Sequence, residues 1–222
     1  MNATSVWTRT GESSMSANRY TLWITFWTAF GIVTSAVTAC LVSPSEISPG
    51  LFIPAVLAMV VGTWIARKNY NPMISLGGYL LITASFGLIT GPVVALYTSA
   101  SVVRILFLTT AMVIGLGVIG ALNPHILKSW WTWLYGGLLV LIAGQILLPL
   151  VSLLGVPIGN AMTFWDWLGV IVFSGYVVYD LNRAMKIPYT MNNAIDCAIE
   201  VYLDFANLFI RLLSLLGDSN DD

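Results

Sequence analysis

The chain has 222 residues, 58% of them hydrophobic and only 9% charged, with a formal net charge of −1. Soluble domains carry about 25% charged residues, so this is the composition of an integral membrane protein. It excludes a basic nucleic-acid-binding face, and one histidine cannot build a histidine-based metal centre.

Residues 1–20 are polar, with Arg9, Glu12 and Arg19, and read as a tail ahead of the first span. No short apolar core followed by a small-residue cleavage site stands there, so no signal peptide is expected. Span 1 is expected over Tyr20–Val42, and the linker SPSEISPG (43–50) is turn chemistry. Span 2 runs over 51–66 and stops at Arg67 and Lys68; NYNP follows. Span 3 is expected over 75–97, span 4 over 102–121, and NPHILK (123–128) links it to span 5, Trp130–Leu153. GVPIGNAMT (155–163) is a turn; span 6 covers 164–181 and ends in VVYDLNR. The polar connector RAMKIPYTMNN leads to span 7, 194–216. The expected fold is therefore all-α, with a tail over 1–20, a seven-helix transmembrane domain over 21–217 and a short acidic tail over 218–222. His125 is expected to be a loop residue, and Cys40 and Cys197 to be buried free thiols within apolar spans. Trp130, Trp131 and Trp133 read as an aromatic belt at a membrane interface.

Basic residues mark the cytoplasmic side. Arg9, Arg19, Arg67, Lys68, Lys128, Arg183 and Lys186 all fall on the N-terminal side when the linkers are numbered alternately. They are seven of the nine Lys and Arg; Arg104 and Arg211 are the other two. A cytoplasmic N-terminus and an external C-terminus follow, and only for an odd number of spans.

Span 7, AIDCAIEVYLDFANLFIRLLSLL, is long enough to cross a bilayer, where a helix needs roughly 20 mostly apolar residues. Yet it carries Asp196, Glu200, Asp204, Asn207 and Arg211. At about 100° per residue, taking Asp196 as zero, the other four fall near 40°, 80°, 20° and 60°. All five share one narrow stripe. A carboxylate facing lipid at mid-bilayer costs at least ~2.5 kcal/mol, so the stripe is expected to face other helices or water inside a bundle. The alternative is a helix lying on the membrane surface. Such helices are rich in Lys or Arg on the polar face, whereas this one is mainly acidic. Arg211, near the outer end, would pair with an acid of the bundle, plug the exit or snorkel to the interface.

Asp180 ends span 6 and Asp204 stands in the middle of span 7. One turn-back joins the two spans, which makes them antiparallel neighbours. Two carboxylates within hydrogen-bond reach cannot both ionise cheaply in a low dielectric; they share a proton and titrate as a unit. Ionised, they are a hard-oxygen site suited to Ca²⁺. In span 3, Gly87 and Gly91 form a small-xxx-small face and Pro92 frees a backbone carbonyl, which suits close helix packing or a gating hinge.

The endings VVYDLNR and VYLDFANLFIRLLSLLG, with GLITGPVVALY in span 3, resemble the corresponding helices of the Bax inhibitor-1 or transmembrane Bax inhibitor motif (TMBIM) family. The likeness is greatest to its small bacterial members, pH-sensitive Ca²⁺ leak channels. It implies six helices around a central seventh, with Asp180 and Asp204 as the proton-sharing pH sensor and cation ligands. It also implies a basic latch at the end of span 2, for which Arg67 is the nearest candidate, while the acid sometimes found inside the family's second span is absent here. The expected function is a pH-sensitive Ca²⁺ leak across a bacterial inner membrane, with Asp196, Glu200, Asn207 and Arg211 along the ion path. No cofactor, nucleic acid or enzymatic activity is expected; Ca²⁺, protons, lipid and other membrane proteins are the expected partners of a monomer or loose oligomer. The rivals are a proton-coupled cation exchanger and a regulatory interaction protein of membrane proteases or cell-death pathways.

Overall fold

A computed structural model describes residues 13–42, 49–68, 71–123 and 130–220. His125, Arg9, Lys128, most of the SPSEISPG and NPHILK linkers and the last two aspartates lie outside the described residues. Among the described residues the chain is all-α: α1 Ala17–Ala39, α2 Pro49–Lys68, α3 Pro72–Val94, α4 Ser99–Leu122, α5 Trp130–Leu153, α6 Gly159–Ala184 and α7 Met191–Leu216. The first six are long and apolar enough to cross a membrane. The seventh has the length but too many charges to qualify by composition, because Asp196, Glu200, Asp204 and Arg211 all lie within it.

Several helices start earlier than hydropathy implies, and caps explain it. Ser16 accepts from the Arg19 N–H, so α1 begins inside the expected tail. Asn71 accepts from the Met73 N–H at 2.9 Å ahead of Pro72, and Thr98 caps α4. Thr190 Oγ1 accepts from the Asn193 N–H at 3.2 Å. Each satisfies a backbone donor that the first helical turn would otherwise leave unpaired, worth about 1 kcal/mol.

The chain forms two compact units, Met1–Tyr97 with Arg183–Leu203, and Thr98–Asn182 with Asp204–Asp222. In the first, α3 packs against α1 and α2. Polar side chains pin the helices: Tyr79 OH donates to the Trp27 carbonyl at 2.8 Å, Ser35 Oγ to that of Thr83 at 2.8 Å, and Ser35 also bonds the Tyr202 hydroxyl. Tyr20 stacks on Tyr189, centroids 4.7 Å apart, and its hydroxyl meets Cys197 Sγ at 3.3 Å. In the second unit, Asn182 Nδ2 donates to the carbonyls of Gly120, at 2.8 Å, and Asn123. Arg104 reaches the Leu216 carbonyl at 2.8 Å, and Asp218 receives the Ser101 hydroxyl at 2.8 Å, tying the end of the chain to α4.

Cys197 is buried as expected, but Cys40 is exposed. It is the C-cap residue of α1, and its side chain is open although its neighbour Ala39 lies against α3, so an apolar neighbourhood in the sequence does not bury it.

Gly87 and Gly91 lie against α1. A Cβ at Gly87 would run into Thr38 and the Ser35 carbonyl, and one at Gly91 would sit 2.6 Å from the Ala39 carbonyl oxygen. Pro92 is buried beside them. The glycine face is thus a packing surface where two backbones meet. Gly91→Ala should destabilise the protein by about 1–3 kcal/mol, the usual cost of overpacking. Gly77→Ala, in the same helix with nothing within 4 Å of the added methyl, should be neutral or stabilising. Thermal unfolding in detergent checks this; equal midpoints for the two variants would reject the packing assignment.

Candidate functional site

α7 runs through both units and is buried over most of its circumference. Its apolar side is packed core: Phe205 is 5% exposed and Leu212 3%. Its polar stripe is also sheltered. Asp204 and Arg211 are buried, and Asp196, Glu200 and Asn207 are half-buried. A bundle therefore encloses this helix, which a surface-lying amphipathic helix would not require.

In the first unit the stripe meets arginines. Glu200 Oε1 accepts from Arg183 Nη1 at 2.9 Å, and Arg67 Nη2 stands 3.9 Å from the same oxygen. The side chains of Arg183 and Glu200 are only 17% and 14% exposed, so solvent screens this pair weakly. Arg67, at the end of α2, is thus placed beside Glu200, and Arg183 is the nearer cation. Sequence reasoning used Arg183 only as a topology marker. The clue available was that a carboxylate in an apolar span needs a base, and Arg183 and Lys186 are the bases just upstream in the turn-back connection. Asp196 lies one helical turn before Glu200, and both are close enough to act electrostatically on Tyr20 and Cys197.

In the second unit, Asp180 is 8% exposed, Asp204 5% and Tyr176 8%. Tyr176 precedes Asp180 by four residues on α6, so the two share a helix face. The phenol lies within electrostatic range of both acids, as well as of Tyr135 and Tyr179. Its buried hydroxyl has no hydrogen-bond partner among the described residues. An orphaned buried hydroxyl costs about 1–3 kcal/mol, which a bound water or cation at this place would offset. Tyr176 was not singled out from the sequence, because a tyrosine in an apolar span reads as packing.

Further along α7, Arg211 Nη1 donates to Asp166 Oδ1 at 3.2 Å, and Ser214 Oγ donates to Asp166 Oδ2 at 2.7 Å. Of the three open fates of Arg211, pairing with an acid of the bundle is the one observed. Asp166 was missed, because a single acid between two tryptophans near a helix start reads as an interfacial residue. Arg104 pairs with Asp218 at 3.3 Å, but both are well exposed and the pair contributes at most about 1 kcal/mol.

The family model described as "Inhibitor of apoptosis-promoting Bax1" matches residues 19–221. The chain belongs to the Bax inhibitor-1 family. Its relatives include an uncharacterized membrane protein of Vibrio cholerae, 25% identical over 99% of this chain and 99% of that one. Bax inhibitor 1 of Saccharomyces cerevisiae is 27% identical over 72% of this chain and 54% of its own length. Bax inhibitor 1 of Schizosaccharomyces pombe is 29% identical over 75% of this chain and 61% of its own. The match thus spans a little over half the length of the yeast relatives. This Bax inhibitor-1 family member is a multi-pass membrane protein with bacterial membrane-protein relatives.

The Glu200 cluster sets an order of strengths. Arg183→Met keeps the apolar stem but removes the short pair, and should cost about 1–3 kcal/mol. Arg67→Met should cost less than about 1 kcal/mol. In a Glu200→Gln background the loss at position 183 should shrink, which a double-mutant cycle on thermal unfolding would read. Equal losses at positions 67 and 183 would contradict the assignment.

Proposed function

We propose that this protein passes Ca²⁺ down its gradient through the bundle as a leak channel, with Asp180 and Asp204 as its proton-sensitive gate. The observation that supports this reading is the burial of both acids within electrostatic range of one buried phenol, Tyr176. Acids placed inside a membrane bundle are expensive and mark ion or proton pathways. Ca²⁺ takes about six to eight oxygens, of which two carboxylates and a hydroxyl supply part and water the rest. That suits a cargo in passage. Among the described residues no three His, Cys, Asp or Glu side chains gather to hold a resident metal ion.

In this reading a shared proton lets one carboxyl donate to the other and holds α6 to α7. Loss of that proton sets two like charges against each other, and gain of a second removes the negative charge that draws the cation in. Both departures change the flux, so the leak depends on pH through the pair. Arg67 is the proposed latch, acting at the end of α2 through Glu200, and its loss raises the resting leak. Neither activity nor partners of the longer yeast relatives are needed for this mechanism.

Purified protein in liposomes, followed with a Ca²⁺ dye across a pH series, tests it. Wild type should show a pH-dependent flux, and Asp180→Asn or Asp204→Asn should flatten the profile, because an amide does not titrate. An unchanged profile in the double-Asn variant would remove the pair from the sensor role. Stoichiometric proton movement with Ca²⁺ would indicate an exchanger, and flux no greater than in empty liposomes a regulatory interaction protein.

We further infer a cytoplasmic N-terminus, supported by the one-sided distribution of seven of the nine basic residues. Reporters fused after Asp222 and inserted beside Lys186 should report opposite sides of the membrane. Reports from the same side would leave α7 short of crossing.

A further inference from the structure

An exposed polar group within a span can be answered by its own helix. Thr21 and Thr25 on α1 do this, donating to the carbonyls of Ala17 and Thr21 at 3.1 and 3.0 Å. Gln145 on α5 does not. Its side chain is exposed, and among the described residues it meets no hydrogen-bond partner. α5 ends at Leu153, eight residues and so about 12 Å beyond Gln145. That places the amide within the hydrocarbon layer, about 30 Å thick, where an unpaired amide is costly. A second polar group is left over at the same residue. Pro149 lies inside α5 four residues on and has no N–H, so the Gln145 backbone carbonyl lacks its helical donor. Membrane helices tolerate such a proline where a neighbour re-satisfies the freed group.

Gln145 also stands in a pattern. Tyr135, Leu138, Ile142, Gln145, Pro149 and Ser152 follow at alternating intervals of three and four, the spacing of a seam along which one helix packs on another. Leu138 is half-buried and the other five are exposed. The contacts of α5 with its own unit lie to one side of this seam, at Leu134, Leu141 and Gly144. There Trp165 of α6 packs on Gly144 and donates to the Leu141 carbonyl at 3.2 Å. We propose that the seam is the contact between two copies of this chain, paired across a two-fold axis at Gln145. Two copies inserted the same way in one membrane share an axis along the bilayer normal, so their α5 helices run parallel and each seam residue faces its own counterpart. Gln145 is self-complementary in that setting. The Nε2 of each copy donates to the freed Gln145 backbone carbonyl of the other. Apolar seam residues fit lipid as well as they fit a helix, so the one polar position between Tyr135 and Ser152 fixes which residues meet. Pairing at this seam needs no part of the leak mechanism.

The whole chain, labelled at its N-terminus with a donor or an acceptor dye and reconstituted in bilayers over a range of protein-to-lipid ratios, tests this by energy transfer. Wild type should associate. Gln145→Leu should weaken association by about three- to thirtyfold, the range that polar pairs between membrane helices supply. Pro149→Ala gives the Gln145 carbonyl back its helical donor, so it should weaken association while leaving the fold at least as stable to heat in detergent. A merely structural role of the proline would not produce that pair of effects. Cross-linking then places the contact, in a Cys40→Ala background because Cys40 is exposed and Cys197 buried. Ile142→Cys, on the seam, should link two copies. Val140→Cys, about 200° around the helix, should not, although the two positions are 45% and 48% exposed.

A wild type that stays monomeric at every ratio overturns the proposal and leaves the seam to a different membrane protein. Association that is equal in wild type, Gln145→Leu and Pro149→Ala overturns it by putting the contact elsewhere, as does cross-linking through position 140 in place of 142. Should Gln145→Leu fail to fold, Pro149→Ala and the two cross-linking variants still decide. None of these outcomes depends on whether the protein passes Ca²⁺.

Discussion

A charge enclosed among apolar helices has to be answered by an opposite charge or by fixed dipoles, since leaving it alone costs several kcal/mol. α7 brings Asp196, Glu200, Asp204 and Arg211 into the bundle, and much of the surrounding structure can be read as the answer. Arg183 and Arg67 stand at Glu200, and Asp166 with Ser214 stands at Arg211. Such pairs are poor sources of net stability, because attraction only offsets the loss of water. They are effective in fixing register, because any slide or rotation of α7 strands a charge. The helix that is least apolar is therefore the one whose position is most narrowly specified.

The same constraint decides what the sequence discloses. The period of the polar stripe is a property of α7 alone, so its burial and direction follow from spacing at about 100° per residue. The number and order of helices follow from apolar runs. The partners are different in kind. Arg183 and Asp166 reach the stripe through tertiary packing, and neither has a local pattern that announces it. Arg183 looks like a topology marker and Asp166 like an interfacial acid, and both are also that. Gly169 is the extreme case: a glycine in an apolar helix has a dozen structural explanations, and only the coordinates show a guanidinium filling the place of its missing side chain. Helix starts were misplaced for a simpler reason. Hydropathy does not see caps, and Ser16, Asn71 and Thr98 extend their helices into polar sequence.

The two charge clusters differ from the Asp180–Asp204 region in a way that bears on motion. A guanidinium–carboxylate pair keeps both charges across the whole physiological range and is broken only mechanically. A carboxyl–carboxyl pair beside a phenol changes its own interaction when a single proton comes or goes. A conformational switch needs an element of the second kind held between elements of the first. In the proposed mechanism the ion pairs limit how far α7 moves, and the aspartate pair sets when it moves. Of the two acids Asp180 stands on α6, and Asp204 shares α7 with Glu200 and Arg211 of the fixed pairs, so in the proposed mechanism a movement at Asp204 is carried along one helix to both pairs.

On α7 the fixed pairs and the acid of the proposed gate share one rigid helix: Glu200 is met by Arg183 and Arg211 by Asp166, with Asp204 between them along the helix. In the proposed leak, a movement of Asp204 away from Asp180 has to work against both pairs, and stretching an ion pair costs much less than stranding one of its charges. Small displacements of α7 are then open to the proposed gate, whereas a slide by a full turn is not.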